Sequence, residues 1–270
     1  MINTNVKLVA VDMDGTLLDS QKNPPADFDS WVLAHPQIQI VLASGRQYAT
    51  LRDEFPEIAD QLMYVADNGS FVFRQGEMIY CNEMAAEDIH WCIDYFGAIP
   101  GLHLVLCGAK AAYMKHASEL VEANGTMYYH SLEFVESLHD CVGKDIIAKI
   151  AVFIEDFRAE EVYNSLSGIP ESIAPVLSGD SWIDVANRSV SKGSAIEAFL
   201  ENLHIKKEEA MAFGDYLNDY ELLLSCGESY AMENAHPKLK KIAKHITASN
   251  DEDGVMKVLR QIPATVEMQL

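Results

Sequence analysis

Several things are scarce in this 270-residue chain. The five cysteines, Cys81, Cys92, Cys107, Cys141 and Cys226, are scattered, odd in number and free of CxxC or zinc-ligand spacing. That argues against a disulfide scaffold or a structural zinc centre, and the five read as buried free thiols of a reducing compartment. Positive charge is also sparse: 20 Lys and Arg stand against 41 Asp and Glu, a net charge of −21. Such a field repels phosphate-rich polymers and anionic lipid, so neither nucleic acid nor a membrane is expected as a partner. No apolar run reaches membrane-spanning length and no signal-peptide pattern precedes the first strand-like segment, so the expected location is cytoplasmic. Internal repeats and low-complexity tracts are missing, and no segment marks an obligate protein partner.

The chain does carry ample core material, with 49% hydrophobic residues. At its start, strand-like and helix-like segments alternate: Lys7 to Val11 as strand, Ala26 to Ala34 as helix, Ile38 to Ala43 as strand, Tyr48 to Phe55 as helix, and Met63 to Ala66 as strand before turns at Asn68-Gly69 and Gly76. From about Asn82 to Asp184 the pattern changes to hairpins mixed with helices, and after Val185 the alternation resumes. This predicts an α/β fold: a doubly wound parallel-sheet (Rossmann-like) core, residues 1–82 and 185–270, interrupted by an α+β cap domain at 83–184. Functional loops of such a core lie at the carboxyl ends of its strands.

The richest stretch is Asp12-Met13-Asp14-Gly15-Thr16, directly after the apolar run Val6 to Val11. Asp-Gly is by itself a common turn dipeptide. Two carboxylates at i and i+2 on the tip of a buried strand are also what a phosphoryl-accepting aspartate and its acid/base partner need. Ser44-Gly45-Arg46 follows a second strand, where a small hydroxyl and the N–H groups opening the next helix suit a phosphate oxygen. Lys192 begins a helix after a strand and supplies a point charge. Asp215 and Asp219, in Gly214-Asp215-Tyr216-Leu217-Asn218-Asp219, add acidic groups that suit a hard cation. If Asp12, Asp14 and Asp215 converge, each pair ~4 Å apart repels by ~4 kcal/mol at an effective dielectric of about 20. A cation makes the cluster tolerable, and Mg2+ accepts this mix of carboxylates, water and phosphate oxygen.

Taken in order, Asp12-x-Asp14-Gly15-Thr16, Ser44, Lys192 and Gly214-Asp215-x-x-Asn218-Asp219 resemble the four motifs of the haloacid dehalogenase-like (HAD) superfamily. Ala43-Ser44-Gly45-Arg46, Asp67-Asn68-Gly69 and Asn234-Ala235-His236-Pro237 are similar to its Cof-type branch, and within it to bacterial sugar phosphatases. Glu233 departs from that branch, which usually has glycine there. About 30 residues separate Asp12 from Ser44 and about 150 separate Ser44 from Lys192, so only the second interval has room for a cap.

The resemblance implies a Mg2+-dependent phosphatase of small phosphorylated metabolites, sugar phosphates foremost, with the cap choosing the substrate. Carried over by residue, Asp12 is the nucleophile that becomes an aspartyl phosphate, and Asp14 is the acid/base group. Ser44, Gly45, Arg46, Lys192 and Asn218 hold the phosphate. Asp12, Asp14 through its backbone carbonyl, and Asp215 bind Mg2+, with Asp219 behind them. A phosphosugar mutase shares these motifs, and a sugar-phosphate sensor or a receiver-type phosphoacceptor module shares part of them. Trp31, Trp91 and Trp182 read as packing residues; Trp91 and Trp182 lie in or beside the cap, where lining a sugar is the alternative. His103, His116 and His130 lack ligand spacing, and Lys238, Lys240, Lys241 and Lys244 read as a solvated helix face.

Overall fold

The structure, a computed structural model, describes residues 5–264. Its first sheet grows from strands that are apolar without a break. β1 (Leu8–Val11) and β2 (Gln39–Ala43) are linked by α1 (Phe28–Ala34), and α2 (Tyr48–Glu54) leads from β2 to β3 (Leu62–Ala66). β1 and β3 are buried along their whole length, as strands covered on both faces must be. β4 (Phe71–Arg74) returns antiparallel to β3, and a turn at Gln75 and Gly76, both with positive φ, leads into β5 (Glu77–Cys81).

The middle of the chain builds a second sheet. Its elements are α3 (Ala86–Gly97), β6 (Leu102–Gly108), β7 (Ala112–Lys115), α4 (Glu119–Tyr128), β8 (Leu132–Val135), β9 (Ile147–Ile154), α5 (Ala159–Ser165), β10 (Ile173–Leu177) and β11 (Trp182–Asn187). The strand order is β10-β11-β9-β6-β7-β8. Every pairing is antiparallel except β7 with β8, where α4 provides the crossover that a parallel pair requires. β8 escapes the sequence reading because it is an edge strand with no buried face to impose alternation. β9 has two buried faces: Ile150, Val152 and Ile154 join one apolar cluster, Ala151 and Phe153 the other.

The last stretch returns to the first sheet through α6 (Lys192–Asn202), β12 (Ala210–Gly214), α7 (Tyr220–Ser225), β13 (Glu228–Ala231), α8 (Pro237–Ile242), β14 (His245–Ile246) and α9 (Gly254–Leu259). The completed order is β14-β13-β12-β1-β2-β3-β4-β5, parallel from β14 to β3. The chain separates into two compact units. One runs up to Ser44, then Leu51–Ile79, then from Ser191 onward, and the other comprises Gly45–Thr50 and Tyr80–Val190. Among the described residues, no helix is long and apolar enough to cross a membrane.

Candidate active site

β1 sits where the strand order reverses. Val11 is in register with Phe213 of β12 on one side and with Leu42 of β2 on the other. The chain leaves β1 toward β2 and β3, and later leaves β12 toward β13 and β14 in the opposite direction. Loops that diverge at such a point open a crevice at the strands' carboxyl ends. Asp12, Ser44 and Asp215 each follow the last residue of β1, β2 and β12 there.

The centre of the crevice is charged and buried. Lys192, the first residue of α6, is fully buried, and its Nζ donates to Asp12 Oδ1 at 2.5 Å and to Asp219 Oδ1 at 2.7 Å. A reciprocal cap fixes the start of that helix: Ser191 Oγ accepts from Ser194 N–H at 3.0 Å, and Ser194 Oγ accepts from Ser191 N–H at 3.1 Å. Asp219 spends its other oxygen on the turn that carries Asp215, accepting the N–H groups of Asp215 at 3.0 Å and Tyr216 at 3.2 Å. The turn closes this tightly because residue 214 is glycine; a Cβ there would lie 2.5 Å from Asp219 Cβ.

Among the described residues, Asp12, Asp215 and Asp219 bring carboxylate oxygens within 4.8 Å of one another. Burial first, and then the Asp219 charge, push Asp215 up to about 6. The same two causes, in that order, hold Asp12 well above the usual carboxylate range despite the opposing charge of Lys192. Burial opposes the ammonium of Lys192, but the Asp12 and Asp219 charges outweigh it and raise its pKa above the ordinary lysine value. One buried ammonium does not balance three converging carboxylates. The surplus negative charge and the all-oxygen donor set fit a hard divalent cation.

Asp14 stands apart from this cluster. Its carboxylate is 38% exposed and accepts from Lys22 Nζ at 2.6 Å. Gly15 (φ +81) passes so near Asp215 that a Cβ would fall 2.5 Å from Oδ2, and Thr16 Oγ1 donates to Asp215 Oδ1 at 3.1 Å. The Gly-Thr pair thus aims Asp215 at Asp12. Asn218 donates to Asn68 Oδ1 at 3.1 Å, which ties the last motif to the turn after β3. Ser44 is buried and held at both backbone groups: its N–H donates to Val65 and its carbonyl accepts from Asn68, both at 2.9 Å. Gly45 and Arg46 group with the second unit, and the Gly45 carbonyl accepts from Lys149 Nζ at 3.0 Å.

Sequence reasoning missed Lys22, because nothing marks a loop lysine eight residues past Asp14. It noted Asn234 without giving it a task. Asn234 Nδ2 donates to the Gly15 carbonyl at 2.7 Å while its Oδ1 accepts the Asn250 N–H at 3.2 Å, so it braces the loop that carries Asp14. Glu233 is not among the residues with positive φ, so nothing there demands glycine. Trp91 stacks on Tyr95 at 4.4 Å, and Trp182 meets Phe153 at 5.0 Å. His103 pairs with Glu155 and His116 with Glu122.

A doubly wound core with an aspartate, a buried lysine and an acidic turn at its switch point defines a class of hydrolases. The chain matches the haloacid dehalogenase-like hydrolase family over residues 9–259 and belongs to it, in the Cof-type branch. It is 31% identical over 265 residues to the protein of Escherichia coli (strain K12) named 5-amino-6-(5-phospho-D-ribitylamino)uracil phosphatase YbjI, covering 96% of each chain. It is 25% identical over 289 residues to phosphatase YwpJ of Bacillus subtilis (strain 168), covering 95% of this chain and 100% of that one. Among solved structures, SMU.1108c from Streptococcus mutans UA159 matches with a TM-score of 0.84 at 28% identity, over 95% of this chain and 98% of that one. The protein is an enzyme of this class, a phosphatase.

Proposed function

We propose that the protein hydrolyses small phosphate monoesters, sugar phosphates foremost, with Mg2+ and through an aspartyl phosphate on Asp12. The observation that carries this reading is the pairing of Asp12 with Lys192 at 2.5 Å beside the carboxylates of Asp215 and Asp219. A buried carboxylate held at the end of a central strand is a nucleophile with its reacting oxygen already placed.

Asp12 attacks phosphorus, and its new O–P bond forms as the ester P–O bond breaks. Asp14 gives its proton to the departing alcohol oxygen. It then takes a proton from water, whose oxygen bonds to phosphorus as the Asp12 O–P bond breaks and inorganic phosphate leaves. Its exposure suits that double role, because both the alcohol and the water must reach it. Lys192 orients Asp12 and opposes the rise in its pKa, and with Ser44, Gly45, Arg46 and Asn218 it supplies the donors for the phosphoryl oxygens. The carboxylates of Asp12 and Asp215, with the backbone carbonyl of Asp14, are the oxygens that would hold Mg2+. Asp219 has both oxygens engaged by Lys192 and the Asp215 turn, which suits it to positioning. When bound, the cation neutralises charge that builds on the phosphoryl group.

The substrate class draws support from the relative whose name specifies a phosphorylated ribityl group, a sugar-alcohol phosphate. A chain with a net charge of −21 admits such an anion only through local positive charge, and Lys192 provides it at the bottom of the crevice. The test is release of inorganic phosphate from a panel of sugar, cofactor and nucleotide monophosphates with and without Mg2+, using Asp12→Asn as the blank.

A further inference from the structure

Lys149 is a charged residue in the middle of β9, whose sequence Ile147-Ala-Lys-Ile-Ala-Val-Phe-Ile154 is otherwise apolar. It is 1% exposed. On one flank Asp184 of β11 lies 3.5 Å away, and the Tyr129 ring lies 5.8 Å from Nζ. A buried ion pair adds little to stability over apolar residues of the same size, because desolvation offsets the attraction. What the pair provides here is a fixed donor: Lys149 Nζ reaches the Gly45 carbonyl at 3.0 Å.

That carbonyl belongs to the Gly45–Arg46 peptide, one residue past Ser44. A trans peptide is planar, so its C=O and the next N–H point in opposite directions. Holding the Gly45 carbonyl therefore fixes the direction of the Arg46 N–H, at a glycine whose own backbone has the widest freedom. Two further bonds fasten the same segment. Gln47 Oε1 accepts the Ser131 N–H at 3.2 Å, and Thr50 Oγ1 donates to the Tyr128 carbonyl at 3.2 Å. Gly45–Thr50 accordingly groups with Tyr80–Val190, while Ser44, one residue earlier, is held by Val65 and Asn68 in the other unit.

We propose that Lys149, supported by Gln47, is a positioning residue of the phosphate site. It aims the backbone of Gly45 and Arg46, and so sets the affinity for the phosphate group. This rests on the phosphatase reading above, in which Gly45 and Arg46 hold that group.

The test uses the full-length enzyme. Lys149→Met/Asp184→Asn removes both charges together, so that neither is left buried alone. It is compared with wild type for KM and kcat on a turned-over monoester, for binding of inorganic phosphate by calorimetry, and for thermal midpoint. The expected result is about a tenfold rise in KM and in the phosphate dissociation constant, the effect of losing one charge-assisted bond. kcat stays within about threefold and the midpoint changes little. Lys149→Arg, which keeps a donor, restores KM to within about threefold. Gln47→Met loosens the same segment from its other anchor and raises KM in the same direction, so it decides the matter if the double variant fails to fold. Wild-type KM and phosphate affinity in a folded Lys149→Met/Asp184→Asn or Gln47→Met enzyme overturn the proposal. A failure of the phosphatase reading looks different: the wild type binds inorganic phosphate without releasing it from any monoester.

Discussion

Lys192 Nζ lies 2.5 Å from Asp12 Oδ1 although 180 positions separate the two residues. That contact joins separate elements of the core. Asp12 is placed by the end of β1, Lys192 by the capped start of α6, and Asp219 braces Lys192 from behind at 2.7 Å.

Lys192→Met leaves Asp12 and Asp219 buried without their counter-charge. Breaking a buried pair from one side costs about 3–5 kcal/mol, so the metal-free variant melts well below wild type in a chemical or thermal unfolding experiment. Turnover falls by at least about a hundredfold, as for loss of one transition-state donor. Saturating divalent cation recovers part of the stability and none of the turnover.

The acidic cluster makes metal-free stability depend on pH in an unusual direction. Asp215 titrates at about 6 in the folded protein, against about 3.9 in an unfolded chain. Between those values the folded state holds more protons than the unfolded one, so this residue's contribution to stability falls as pH rises from about 4 to about 6. Asp12, also raised, acts with the same sign. Unfolding of wild type and Asp215→Asn in chelator, compared across that range, isolates the slope: wild type loses stability relative to the variant as pH rises. Divalent cation removes the difference at pH 7.

Gly15→Ala puts a methyl group 2.5 Å from Asp215 Oδ2 at a backbone with φ +81. The left-handed conformation alone costs about 1–2 kcal/mol for a residue with a side chain. The displaced carboxylate weakens cation binding, so the activity lost at low Mg2+ returns in part at high Mg2+. Titration of activity against Mg2+ reads the shift.

Asn234→Ala removes the two bonds that link Gly15 and Asn250 to the loop after β13. It lowers unfolding free energy by about 1–2 kcal/mol. Glu233→Gly, beside it, gains nothing from glycine's freedom and lowers stability by under about 1 kcal/mol. Urea titrations of the two variants give the order.

Much of this was legible in the amino-acid sequence, for physical reasons. The strands of the core announce themselves because both faces are covered, so Val9 to Val11 and Ala210 to Phe213 are apolar without a break. Asp12 and Asp215 stand out as charges set at the tips of such runs, and Lys192 as the charge that opens a helix. β8 did not stand out, since an edge strand carries no burial pattern. Nor did the bonds from Lys22 to Asp14, Asn234 to Gly15 and Lys149 to Gly45, which join loops and strands that only tertiary packing brings together. In Asn234 and Lys149 the partner is a backbone carbonyl, which leaves no trace in residue identity.

Phosphoryl transfer to Asp12 is open to a direct assay. Purified enzyme is given a sugar monophosphate with Mg2+, and inorganic phosphate is followed in wild type and in Asp12→Asn. If Asp12 is the nucleophile, wild type releases phosphate with Mg2+, chelator abolishes the release, and the variant shows none. Full release by Asp12→Asn would contradict it, and an isomerised sugar phosphate in place of free phosphate would make the enzyme a mutase.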